Sequence, residues 1–282
     1  MEDTTIVCGG GGVWGVAWMT GLFHGLTELG FDPRRAAAFI GTSAGSIVGT
    51  QLAHGLDLLA LYQRQIDPSW RARIRAPSPG SWQKLEQLFS VDEPDHVARV
   101  KMIGAAALTA DTLPYEQRRD ELAARIGLSE LTWPAKRLLV TAVDCESGAF
   151  TTFDAHSGVA LIDAISASCS VPCVWPVTPI RGRFYMDGGV WKTPENAHLA
   201  HGVSQAIVFA PLGALATSAS ELQADLAALR ASGTRVLCVT PDDNALKAQA
   251  AGILDPSSCK PAAEAGRAQA LAVAAELRSF QR

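Results

Sequence analysis

Three short stretches of the sequence hold residues with chemical potential. Gly41-Thr42-Ser43-Ala44-Gly45 is a G-x-S-x-G between an apolar run and a helix-like run. In that setting the serine sits on a tight turn with its hydroxyl exposed, and the flanking glycines leave room for the turn's close contacts. The Ala44 N–H, at a helix start, is then placed to stabilise an oxyanion. Gly9-Gly10-Gly11-Gly12-Val13-Trp14-Gly15 also follows an apolar run. Successive backbone N–H groups at a helix N-terminus make a site for negative charge. Phe184-Tyr185-Met186-Asp187-Gly188-Gly189 delivers a carboxylate from a strand into two glycines. Nucleophile, anion-stabilising amides and base together are the parts of an acyl-transfer site. Each stretch also has a plainer reading, as a capped helix start or an Asp-Gly turn.

The glycine run contains G-x-G-x-x-G as Gly10, Gly12 and Gly15. A dinucleotide site would need an acidic residue at the end of the next strand to hold the ribose. That strand ends instead in Ile40-Gly41-Thr42-Ser43, which argues against nucleotide binding. A serine hydroxyl needs a base, and the usual one is a histidine held by a carboxylate. Of the six histidines, His198 and His201 follow Asp187 and satisfy the order Ser…Asp…His. A Ser-His-Asp α/β-hydrolase esterase is therefore an alternative to a site built on Ser43 and Asp187 alone. Against it, Ser43 follows only the second strand, and Glu195–His201 reads as a helix.

The elements that must position these groups follow from the apolar runs. Thr4–Cys8 and 37–40 read as short buried strands, each ending in glycines; Val16–Leu29 and 46–54 read as the helices after them. Strand, glycine turn, helix, repeated, is the pattern of a parallel sheet with crossover helices. Residues 56–134 show helical periodicity, several prolines and no strand, and read as a helical insertion over the sheet. Strand signals return at 137–143, 149–153, 184–186, 205–209 and 235–239. Helices are expected at 159–167, 195–201, 219–231, 242–251 and 261–280. The expected fold is a three-layer α/β/α sandwich with a mainly parallel central sheet. The chain reads as one domain, 1–282, with the insertion at about 56–134.

Composition narrows the function classes. The chain has 282 residues, is 48% hydrophobic and 18% charged, and carries a net charge of -4. That apolar fraction supports a large core and excludes a disordered chain. The acidic balance argues against a nucleic-acid partner. Twelve of the 25 glycines lie in the first 55 residues, so close backbone approaches concentrate there. The six cysteines form no C-x-x-C pair, and no metal site or cofactor is expected. No secretory signal or membrane-spanning run is visible, and the expected location is cytoplasmic.

With the three stretches in this order, the chain resembles the patatin-like phospholipase family over nearly its whole length. Gly9–Gly15 resembles the family's oxyanion loop and Gly41–Gly45 its nucleophile elbow. Ala167-Ser168-Cys169-Ser170-Val171-Pro172 resembles its A-S-x-x-[IV]-P block, and Asp187-Gly188-Gly189 its D-G-G. Glu195–Ala200 and Ala265–Gln269 look like a bacterial branch. The resemblance implies a lipid acyl hydrolase with a Ser-Asp dyad and no catalytic histidine. Ser43 would be the nucleophile and Asp187 the base. Gly10, Gly11, Gly12 and Ala44 would supply the oxyanion hole, and Val13 and Trp14 would touch substrate. The family's loop usually carries Arg or Lys where this chain has Trp14, which favours a neutral ester over a phospholipid. A non-catalytic lipid-binding or regulatory protein that kept the fold is a further alternative.

The insertion holds one further feature. Between residues 64 and 84, five basic residues (Arg64, Arg71, Arg73, Arg75, Lys84) face one acidic residue (Asp67), and Trp70 and Trp82 lie among them. Such a segment suits peripheral contact with an anionic membrane surface, or a lid. A solvated loop with two packed tryptophans is the alternative. Oligomeric state leaves no trace in the sequence.

Overall fold

The computed structural model describes residues 3–213, 219–249 and 251–281. Eight strands form one sheet: β1 (Thr4–Cys8), β2 (Ala38–Gly41), β3 (Arg137–Asp144), β4 (Phe150–Phe153), β5 (Thr178–Ile180), β6 (Arg183–Asp187), β7 (Gln205–Phe209) and β8 (Arg235–Val239). Traced through hydrogen-bonded neighbours, the strands connect as β5-β6-β3-β2-β1-β7-β8, with β4 also paired to β3. Strands β3, β2, β1, β7 and β8 are mutually parallel; β4, β5 and β6 are antiparallel additions.

The central strands read as unbroken apolar runs because both faces are covered. Side chains alternate across the sheet. Ile6, Phe39, Ile207 and Phe209 face one layer; Val7, Ile40, Ala206 and Val208 face the other. The first layer contains α1 (Gly12–Glu28), α2 (Ala44–Ala53), α8 (Leu161–Ser168) and α11 (Cys259–Phe280). On the second layer, α9 (Ala219–Ala231) packs through Leu222, Leu226 and Leu229. α6 (His96–Leu108) covers the β3–β6 end through Val100, Ile103 and Ala107. The result is the expected three-layer α/β/α arrangement.

Helix α1 is apolar on every side because it is enclosed. It lies between the sheet and α11, and the two helices approach through small residues. A Cβ on Gly21 would fall 1.9 Å from the Ala263 carbonyl oxygen, and one on Gly266 would fall 2.2 Å from that of Trp18. That contact explains the Ala-rich character of α11.

Residues 56–134 contain α3 (Leu58–Ile66), α4 (Pro68–Arg71), α5 (Ser81–Phe89), α6 and α7 (Tyr115–Ile126), with no strand among them. Three expectations need correction. The 195–201 stretch is a short 3-10 turn (Ala197–Ala200) entered through Asn196 in the left-handed region, not a helix. The helix expected at 242–251 is only α10 (Asp243–Lys247). The three-residue β5 went unseen because Pro179 interrupts its signal; only pairing with β6 defines it.

Candidate active site

Strand β2 ends at Gly41 and α2 begins at Ala44, so the chain must reverse within Thr42 and Ser43. Ser43 does this at φ 53° and ψ -119°, a conformation that side chains rarely adopt. The glycines are sterically obligatory. A Cβ on Gly45 would lie 1.8 Å from the Cys8 carbonyl oxygen, and one on Gly41 would lie 2.6 Å from that of Gly45. The turn is held from three sides. Ser43 N–H donates to Ser168 Oγ at 2.8 Å, Ser46 Oγ donates to the Ser43 carbonyl at 2.7 Å, and Thr42 N–H donates to the Cys8 carbonyl at 3.1 Å.

Asp187 reaches Ser43 by an arrangement of strands that the sequence did not reveal. β3 pairs with β2 through residues 137–140 and with β4 through 140–143, so these two strands take opposite edges of β3. β6 pairs with β3 through 142–144, overlapping β4, and therefore lies on the edge β2 has vacated. It enters antiparallel, directly beyond the end of β2. Its last residue, Asp187, is thus level with the turn that carries Ser43. The Asp187 carboxylate takes a hydrogen bond of 2.8 Å from Gly189 N–H, and the Ser43 side chain lies near enough to act on its ionisation. Burial pushes the Asp187 pKa up to about 7, with the Ser43 side chain and the Gly189 N–H acting in the opposite direction.

A buried network joins the two turns. Thr141 Oγ1 donates to Thr42 Oγ1 at 2.8 Å. Asn196 Nδ2 donates to Thr42 Oγ1 and to the Gly188 carbonyl, both at 3.1 Å. Gly188 must lack a side chain because its Cβ would meet Thr141 Oγ1 at 2.1 Å. Ser168, Thr141 and Asn196 were not singled out as site residues. Only the blocks containing Ser168 and Asn196 hinted at them, since these bonds span 99 to 154 residues of sequence.

The glycine loop is placed beside the serine, but its amides are not equivalent. Gly10 N–H donates to the Pro194 carbonyl at 2.8 Å. Its amide is spent on holding the loop, which corrects its expected role as an oxyanion donor. Among the described residues, no acceptor takes the N–H of Gly11, Gly12 or Ala44. Gly12 and Ala44 line one cavity with Ser43, Val13 and Val16.

Trp14 is the second correction. Its side chain is fully buried, with its ring 6.4 Å from that of Trp18 and stacked on it. Helical phase is the reason. α1 starts at Gly12, so Val13 and Val16 (i, i+3) face the cavity while Trp14 and Trp18 (i, i+4) face the core. No histidine lines this cavity. His198 lies 3.7 Å from Asp225 on α9, and His201 is exposed. Among the described residues no cluster of three or more His, Cys, Asp or Glu is arranged to hold a metal.

The cavity has a volume of only about 20 Å³, room for a single water. Leu254 forms part of its wall. On its other side Leu254 lines a groove of about 690 Å³ with Ala76, Pro77, Trp82 and Ile253. The Ile253 carbonyl accepts the Trp14 N–H at 3.1 Å, which fixes this wall to the start of α1.

Comparison with known proteins places the chain. Residues 6–197 match the family described as patatin-like phospholipase. That is more than half of the sequence, and the chain belongs to this family, whose general activity is lipid acyl hydrolysis. No curated protein matches. Among solved structures, VipD from Legionella pneumophila is 11% identical, with a TM-score of 0.48, covering 98% of this chain and 67% of its own. The type III effector ExoU is 14% identical, with a TM-score of 0.42, covering 97% of this chain and 53% of its own. Full-length ExoU with SpcU from Pseudomonas aeruginosa is 16% identical, with a TM-score of 0.41, covering 95% and 52%. The chain therefore spans about half of ExoU and two thirds of VipD.

Proposed function

We propose that this protein is a serine ester hydrolase working through a Ser43–Asp187 dyad. The observation that carries the reading is a buried Asp187 carboxylate beside a serine held at positive φ, which lines a cavity with no histidine. Asp187 takes the Ser43 proton as Oγ attacks the ester carbonyl. The tetrahedral oxyanion is met by the free N–H groups of Gly11, Gly12 and Ala44. Asp187 then returns the proton to the departing alkoxide, and a water activated by the same carboxylate releases the acid. Donors fixed in a dry site act strongly because they need no reorganisation. The whole chain works as one domain, with 56–134 as a helical insertion beside the site. Reaction of Ser43 with a fluorophosphonate probe tests the reading directly; an unlabelled serine would defeat it.

The base sets a pH dependence. Asp187 accepts a proton only when ionised, and its pKa is near 7. Activity should rise with pH to a plateau above about 8, and at pH 5 should be about a hundredfold lower. A profile of kcat/KM that is already flat from pH 5 would exclude Asp187 as the base.

Substrate entry requires the wall at Leu254 to move, because the cavity holds no acyl chain as it stands. The groove on the other side of Leu254 is the proposed approach. Its rim carries exposed Trp82, and Phe89 on the same helix is also exposed, which suits delivery from a lipid surface. Much of the basic charge in 64–84 is engaged with neighbouring side chains at the surface, with Arg64 and Arg73 on Trp70 and Arg75 on Glu121. The apolar rim rather than the net charge then supports membrane contact. Leu254→Ala should raise kcat/KM for long-chain over short-chain p-nitrophenyl esters by roughly tenfold. An unchanged ratio would place the entrance elsewhere.

A further inference from the structure

Two guanidinium groups share the Ser43 cavity. Helix α7 presents Arg118, Leu122 and Arg125 on one face, at i, i+4 and i+7, and all three line the cavity. Helix α7 is pinned to α2 by the buried Leu122 and Ile126 and by Gln51 Nε2, which donates to the Ile126 carbonyl at 3.1 Å. The cations are therefore fixed relative to the serine.

Arg118 is 6% exposed. Its Cζ lies 3.8 Å from the centre of the Trp175 ring, which sets the plane of the guanidinium. Among the described residues its one carboxylate contact is a long one, 3.4 Å from Nη1 to Glu121 Oε2, and Arg75 already holds the other oxygen of Glu121 at 2.8 Å. Nε of Arg118 is buried with no partner. Among the described residues no carboxylate pairs with the Arg125 guanidinium. The cavity lining contains these two cations and no carboxylate. Burial, and then mutual repulsion, lowers the Arg118 pKa to about 10, so it stays charged at neutral pH. Desolvating a guanidinium without a counter-charge is costly, and an incoming anion removes that cost.

We propose that Arg118 and Arg125 form an anion subsite beside Ser43, so that the preferred substrates are esters carrying an oxyanion group, a carboxylate or a phosphate. The proposal rests on the reading of Ser43 as the nucleophile and adds the charge of its substrate. The glycine loop itself brings no cation, since Val13 and Trp14 occupy it. Positive charge reaches the cavity from α7 instead. The two arginines are seven residues apart, about 10 Å along the helix, so the anion meets Arg118 or Arg125 first according to its distance from the ester.

The test compares esters of equal length. Mono-p-nitrophenyl adipate carries a carboxylate where p-nitrophenyl hexanoate carries a methyl group. The wild type should favour the adipate in kcat/KM by about tenfold or more, as charge-assisted hydrogen bonds allow. Arg125→Gln and Arg118→Lys should each bring that ratio down by about tenfold. Where Arg118→Lys fails to fold, Arg125→Gln carries the test alone. In parallel, calorimetry on Ser43→Ala with monomethyl adipate and with inorganic phosphate separates the two anion types. Binding of either, weakened in Ser43→Ala/Arg125→Gln, supports the subsite and names its anion. No preference in the wild type with no binding of either probe overturns it, as does a preference that both arginine variants retain. If Ser43 hydrolyses neither ester and takes no fluorophosphonate, the enzyme reading fails, while the calorimetric result still decides the anion site.

Discussion

Ser43→Ala and Asp187→Asn will each lower ester hydrolysis by at least about 10³-fold while leaving the protein folded. The serine variant removes the proposed nucleophile. The asparagine variant keeps the shape and the Gly189 contact but cannot take a proton, so the serine loses its base. In the same assays, His198→Ala combined with His201→Ala should retain activity, because neither ring lines the cavity and His198 lies against Asp225 instead. Circular dichroism and melting temperature establish that each variant is folded. Loss of activity in a folded double-histidine variant would replace the dyad with a Ser-His-Asp triad. Full activity in Asp187→Asn would remove the carboxylate from the mechanism. The two variants also differ in their probe chemistry: Ser43→Ala leaves nothing to label, whereas Asp187→Asn keeps a serine that should label much more slowly.

The sequence disclosed the parts of this site that are encoded locally. Ser43 and its glycines form a turn whose residue types are themselves a local signal, and Asp187-Gly188-Gly189 is a strand end of the same kind, although the clashes that demand Gly45 and Gly188 come from Cys8 and Thr141. The strands β1, β7 and β8 were legible to the residue because short apolar runs bounded by polar turns admit one reading. What was illegible depends on contacts between distant residues. That β6 runs antiparallel into the space beyond β2 is a property of three strands at once. Trp14 was misplaced because its role depends on where α1 starts, and one residue of helix turns a side chain by about 100°. Gly10 has the right position and the wrong hydrogen bond, since Pro194 arrives from 184 residues later. Arg118 and Arg125 stand in a strongly polar helix that reads as a solvated one. Only the packing of that helix on α2 turns two of its arginines inward.

The expected loss of stability with rising pH follows from the same burial that activates the base. Glu195 is 1% exposed, and neither of its oxygens has a partner. It lies behind the glycine loop, its Cγ 3.0 Å from where a Cβ on Gly9 would stand. Burial, and then the charge of Asp225, raises its pKa from 4.5 to about 7. Below pH 4.5 the group is protonated in both folded and unfolded chains, and the fold keeps its full stability. Between pH 4.5 and 7 the unfolded chain releases the proton while the folded one holds it. Each pH unit in that window costs about 1.4 kcal/mol, so about 3 kcal/mol is lost by pH 8. Glu195→Gln, which is neutral throughout, should match the wild type at pH 4 and exceed it by about 3 kcal/mol at pH 8 in urea unfolding. Equal stability of the two proteins at pH 8 would mean that Glu195 is ionised at no cost. Asp187 is raised in the same direction, from 3.8 to about 7, and adds to the loss over nearly the same window. Activity and stability therefore run in opposite directions across pH 5 to 8. The carboxylate becomes a competent base only where its buried charge weakens the fold, and substituting Glu195 offers a way to relieve the second effect without touching the first.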